Sequence, residues 1–302
     1  MHVIAAISID VPALLLQSNG ESAGGGAGAW ILPVAVGVLA AASLAVIVSR
    51  RLWRMPAEAS GRLPRDPAVG ALALMFALVA GSIAAVAAGG AGIEDPAYAR
   101  LAAGVASNLA QAAVALFAIH SVLSRPGAGT PMPAARAARE GAVALVLAFP
   151  IIAAISLGVN ALLVALGQPK APDTSHETLQ ILVERRDALL TTLTLAHVAV
   201  LVAVSEEALW RGLLQPAMRR AGLGAAGAVA ATAVLFTLIH WSVIIPADGR
   251  AAGLAMLFVL ACALGILRER TGGLVAPITL HALFNAANVA IALAQNPVSS
   301  TP

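Results

Sequence analysis

The sequence predicts an all-α membrane protein of about eight transmembrane helices, the C-terminal four forming a bundle of their own. Three observations carry this. Of the 302 residues, 60% are hydrophobic and only 11% are charged, against about 25% charged in a soluble domain. The apolar residues come in runs of about twenty, the length that crosses a hydrocarbon core of roughly 30 Å. The charged residues sit in short clusters between those runs. The pI near 10 therefore reads as membrane topology, and nucleic acid is not an expected partner.

In chain order, residues 1–28 form an N-terminal tail. They lack a basic n-region and are interrupted by Asp10 and Pro12, so no cleaved signal peptide is expected. An N-terminal membrane region, 29–168, holds spans at about 29–49, 69–90, 101–123 and 141–166. Pro150 is expected to kink the fourth. Asn108, Gln111 and Asn160 suit hydrogen bonds between helices. A polar stretch, 169–187, ends in Glu184-Arg185-Arg186-Asp187. A second region, 185–295, holds spans at about 188–210, 223–245, 251–267 and 273–294. The single cysteine, Cys262, excludes an intrachain disulfide and a cysteine-based zinc site.

Orientation follows from the basic residues. Of the 18 Lys and Arg, 13 fall on one side of this topology and 5 on the other. The richer side is the cytoplasmic one by the positive-inside rule, which places both termini outside. Multi-pass insertion in a bacterial inner (plasma) membrane is the expected location, and the lipid bilayer the first partner.

The chemistry lies in the second half. Glu206 and Glu207 are the acidic residues that fall inside or against an apolar run, VLVAVSEEALWRGLL. A charge near a span centre costs about 2.5–3.5 kcal/mol on insertion scales, so the default reading is function with a partner nearby. Arg211 is four residues after Glu207 and shares its helix face. Glu206 lies about 100° away, free for chemistry. His240 closes the run VLFTLIH, and His281 opens HALFNAANVA, with Asn285 and Asn288 on its face. A carboxylate base with imidazole and amide donors is what hydrolysis of a peptide bond needs. His197, nine residues before Glu206 and half a turn out of phase, reads as a packed or interhelical histidine.

The segments EEALWR (206–211), FTLIH (236–240) and HALFN (281–285) resemble the EExxxR, FxxxH and HxxxN pattern of the CPBP family. These are the CAAX-protease and bacteriocin-processing (Abi) intramembrane peptidases. Trp210 stands where that family usually has Phe. The resemblance covers about residues 185–295. It implies Glu206 as the general base, Glu207 and Arg211 as its support, and His240 as the group that orients water or assists proton transfer. His281 and Asn285 would hold the oxyanion or the water. It leaves the cofactor open between none and a zinc ion held by Glu206, His240 and His281.

The implied activity is an intramembrane endopeptidase, a hydrolase of the CAAX prenyl endopeptidase type. Its site would open toward the cytoplasm, and its partner would be a peptide or membrane-protein substrate. Two other classes are open: a peptidase-like scaffold or immunity protein that binds without cutting, and a proton-coupled transporter using Glu206.

Overall fold

A computed structural model describes residues 31–57, 62–64, 66–121, 125–126, 130–168, 181–182, 185, 187–242 and 250–295. The tail expected at 1–28 and most of the polar stretch 169–187 lie outside them. The described chain is helical: α1 Ile31–Ser49, α2 Pro67–Gly89, α3 Pro96–Ser121, α4 Ala134–Ala165, α5 Ala188–Arg220, α6 Ala225–Ile239, α7 Arg250–Thr271 and α8 Val275–Gln295. A two-residue antiparallel ladder joins β1 (Arg62–Leu63) to β2 (Arg125–Pro126). Seven of the helices are long and apolar enough to cross a membrane, and the chain is a multi-pass integral membrane protein.

The four loops assigned to the basic side meet one another. Arg219 Nη2 donates to the Ala57 carbonyl at 3.0 Å, Arg270 Nη1 donates to the Leu52 carbonyl, and β1 pairs with β2. Met132 N donates to the Thr271 carbonyl at 2.8 Å. At the opposite face Arg185 bonds Asp95, and Tyr98 donates to Asp187 at 2.8 Å. The Asp95 carboxyl is held below its usual range, chiefly by the Arg185 guanidinium. This clasp is therefore complete above the ordinary carboxylate range and opens only as pH falls below it.

Three spans differ from expectation by more than five residues, the fourth because it begins at Ala134 and not near 141. The fifth does not end near 210; α5 continues as one helix to Arg220. The reason is polar satisfaction. Gln215 donates to Glu269 at 2.9 Å and to the Gly265 carbonyl at 3.1 Å, and Arg219 pairs with Glu269 at 3.3 Å. These groups find partners on α7. The sixth span shrinks to the 15 residues of α6, followed by a 3₁₀ turn over His240–Ser242.

Together these changes level the site. About 21 Å of helix separate Glu206 from the end of α5, and about 22 Å separate His240 from the start of α6. His281 is only about 9 Å into α8. The end of α7 is itself buried at Arg268, Glu269 and Thr271: the Thr271 carbonyl accepts from Met132 N, Glu269 meets Gln215 and Arg219, and Arg268 donates to the Arg211 carbonyl.

The helix α5 is irregular where it matters. Two π segments, His197–Val202 and Ala208–Leu214, flank the five α-helical residues Ala203–Glu207. Such π segments are rare and concentrate at functional sites. They change the angular phase along the helix, so a half-turn offset between His197 and Glu206 does not hold.

Small residues set the helix spacing. A Cβ on Gly141 of α4 would collide with the Ala276 carbonyl oxygen and stand 2.8 Å from Thr279 Cβ on α8. Gly158, on the same helix, has open space around it. Gly141→Ala is expected to cost about 1–3 kcal/mol, whereas Gly158→Ala should stabilise by up to about 1 kcal/mol. Thermal unfolding of the two variants in one detergent, with shifts of opposite sign, checks this.

Candidate active site

The site is built from α5, α6 and α8 and closed by α7. Glu206, Glu207, Arg211, His240, His281 and Asn285 are each no more than 1% exposed. Six buried polar side chains in an apolar bundle must satisfy one another or stay costly.

Glu207 is the hub. Its Oε1 accepts from Arg211 Nη1 at 3.1 Å and lies 2.9 Å from His281 Nδ1. The i, i+4 pair expected from the sequence forms, and Arg211 does more besides. Its Nη2 donates to the Ala261 carbonyl of α7 at 3.1 Å, and its guanidinium lies 4.7 Å over the Phe236 ring. With Nδ1–H of His281 donating to Glu207, the ring turns its Nε2 outward.

That Nε2 faces Glu206. The distance from His281 Nε2 to Glu206 Oε2 is 3.8 Å, and from His240 Nε2 to Glu206 Oε1 it is 3.9 Å. The His240 ring is fixed from behind, with Nδ1 2.6 Å from the Phe236 carbonyl. Neither Glu206 oxygen has a hydrogen-bond partner. The two separations exceed direct hydrogen-bond reach and match the gap that one bridging water closes.

The same separations bear on zinc. Bonds of about 2.0–2.2 Å in a tetrahedron put ligand atoms roughly 3.3–3.6 Å apart, a little closer than the 3.8 and 3.9 Å here. Among the described residues no group of three His, Cys, Asp or Glu side chains is arranged to hold a metal ion. The donor set as placed does not fit zinc.

Asn285 is brought to the site, but its amide has a partner. Its Nδ2 donates to the Val198 carbonyl at 3.0 Å, in the first π segment, leaving Oδ1 without a partner. Asn288, one turn on, is buried with neither amide atom bonded.

Several contributors were not singled out by the sequence reading. Phe236 is the aromatic centre. Trp210 packs edge-on against it at 5.6 Å and His240 lies 4.6 Å from it. The pattern FTLIH contains Phe236, but nothing in it announces contact with Arg211. Arg268 is another, its Nε donating to the Arg211 carbonyl at 3.0 Å. On α3, Asn108 accepts from Ser205 at 2.7 Å and lies 3.0 Å from His197 Nε2. The interhelical reading of Asn108 and His197 thus describes their contacts, and it extends to the neighbour of Glu206. His197 lines a groove of about 700 Å³ between α3 and α5. That groove lies toward the Asp95 face, not the arginine-rich face onto which the site was expected to open.

Residues 188–287 match the family model for Rce1-like, type II CAAX prenyl endopeptidase proteins, and that match supports a peptidase of the membrane. No curated protein and no solved structure matches the chain.

Removing Arg211 should leave a buried Glu207 charge unpaired. Arg211→Met is expected to cost about 3–5 kcal/mol, and adding Glu207→Gln should recover part of that loss. A double-mutant cycle of unfolding midpoints, with the double variant above Arg211→Met alone, checks this.

Proposed function

We propose that this chain is an intramembrane endopeptidase in which Glu206 activates water. One observation carries the reading: a buried carboxylate without a hydrogen-bond partner faces two histidine Nε2 atoms at 3.9 and 3.8 Å. Both rings are fixed from behind, by the Phe236 carbonyl and by Glu207. Glu207, by contrast, bonds Arg211 and His281 through Oε1.

In the proposed reaction Glu206 takes a proton from a water held between it and His240. The water oxygen bonds to the scissile carbonyl carbon, and that carbonyl becomes an oxyanion. His281 Nε2–H holds the oxyanion, with Glu207 stabilising the charged ring through Nδ1. One proton held among Glu206, His240 and His281 makes the buried set neutral beside Arg211 and Glu207. Collapse breaks the carbon–nitrogen bond, and the proton on Glu206 passes to the leaving nitrogen. Asn285 has a second amide N–H, which is assigned to the oxyanion as the family pattern implies. Its bond to Val198 braces α8 against the π segment.

The substrate proposed is a peptide segment near a membrane-proximal or lipid-modified terminus. Support comes from the depth of the site and from the family match over residues 188–287.

Terminal-peptide mass spectrometry on membranes holding wild type or Glu206→Gln at equal abundance tests the proposal. New termini are expected only with wild type, since glutamine keeps the shape but accepts no proton at neutral pH. Identical termini in both would sink the proposal and favour a scaffold or carrier.

A further inference from the structure

We infer that the arginine-rich face carries a site for one anionic glycerophospholipid, in the cleft between α1, α4 and α7. The walls are apolar: Ile47 from α1, Val143 and Leu147 from α4, and Ile266 from α7. The mouth is polar, formed by Trp53, Glu140 and Arg270. An apolar slot that opens at headgroup level beside cations has the chemistry of an acyl chain below a phosphate.

The mouth is strongly cationic. Arg50, Arg51 and Arg54 flank the lining residues Leu52 and Trp53, Arg136 and Arg139 precede Glu140 on α4, and all five are exposed; Glu140 is the one carboxylate among the lining residues. Arg54 lies 5.8 Å over the Trp53 ring, which holds its charge at the rim. Arg270 donates to the Leu52 carbonyl and so fixes the exit of α1 over the cleft. Charge complementarity therefore selects an anionic headgroup.

A backbone observation points the same way. The end of α1 is a Schellman turn: Leu52 N donates to the Ile47 carbonyl at 2.8 Å and Arg51 N to that of Val48 at 3.0 Å. The residue after the cap in this motif is usually glycine, because it adopts the left-handed region. Here it is Arg51, at φ 52°, and it alone among the described non-glycine residues has positive φ. A cation stands where glycine would fit without strain, beside the mouth of the cleft.

The test uses the full-length protein in bilayer nanodiscs of phosphatidylglycerol and phosphatidylcholine in equal parts. Native mass spectrometry reads the lipid retained after release. Wild type is expected to keep phosphatidylglycerol in preference. Arg51→Gly and Arg54→Gln should each lower that retention about fivefold, while Arg51→Gly melts no lower than wild type because strain is relieved. Val143→Trp, on the exposed rim of α4, should block the slot without touching the core. Glu140→Gln should raise retention. Equal retention of the two lipids by wild type, or unchanged retention in Arg51→Gly, would overturn the site. A fall in Glu140→Gln would overturn the anionic assignment and indicate an amine-bearing headgroup.

Discussion

The buried pair between Glu207 and Arg211 is the constraint on which the rest depends. A full charge at the centre of a bilayer-length helix must be matched within a few ångströms. Arg211 supplies that match and then uses its remaining donor on the Ala261 carbonyl of α7. Glu207 uses the same oxygen to fix His281 of α8. Phe236 of α6 lies beneath the guanidinium. One ion pair thus fixes the relative placement of four helices. Its neighbour Glu206 is left with two unbonded oxygens, which the same rigid frame can tolerate.

The first-half helices act as a brace for that frame. On α3, Asn108 joins Ser205 and His197 on either side of the first π segment. On α4, Gly141 lets the backbone come close to Ala276 just before His281. Their small residues permit close approach where lipid gives no hydrophobic reward for it. The exit of α1 and the residues before α4 also meet the end of α7, through Arg270 to the Leu52 carbonyl and Met132 N to the Thr271 carbonyl.

Much of the fold was legible because the bilayer imposes length and apolarity directly on sequence. The eight helices appear in the expected order, with ends shifted by a few residues at most places. Glu206, Glu207, Arg211, His240, His281 and Asn285 were legible because polar groups within apolar runs are costly and therefore conspicuous. What was not legible has physical reasons. The extension of α5 beyond Arg211 depends on Gln215 and Arg219 meeting Glu269, a contact over about fifty residues that no local pattern reports. The π segments are a backbone bonding pattern and leave no side-chain signature in Ala, Val and Leu. The bond from Asn285 to the Val198 carbonyl follows from that same backbone irregularity, so the residue was visible and its partner was not.

The two π segments also set how this helix can change over time. Each accommodates an extra residue in one turn of an otherwise regular rod. A single-residue deletion inside 197–202 would return that turn to α geometry and leave the helix on either side of it in place. Insertions and deletions, normally ruinous within a membrane span, have here a place where the lineage can absorb them without disturbing the glutamate pair.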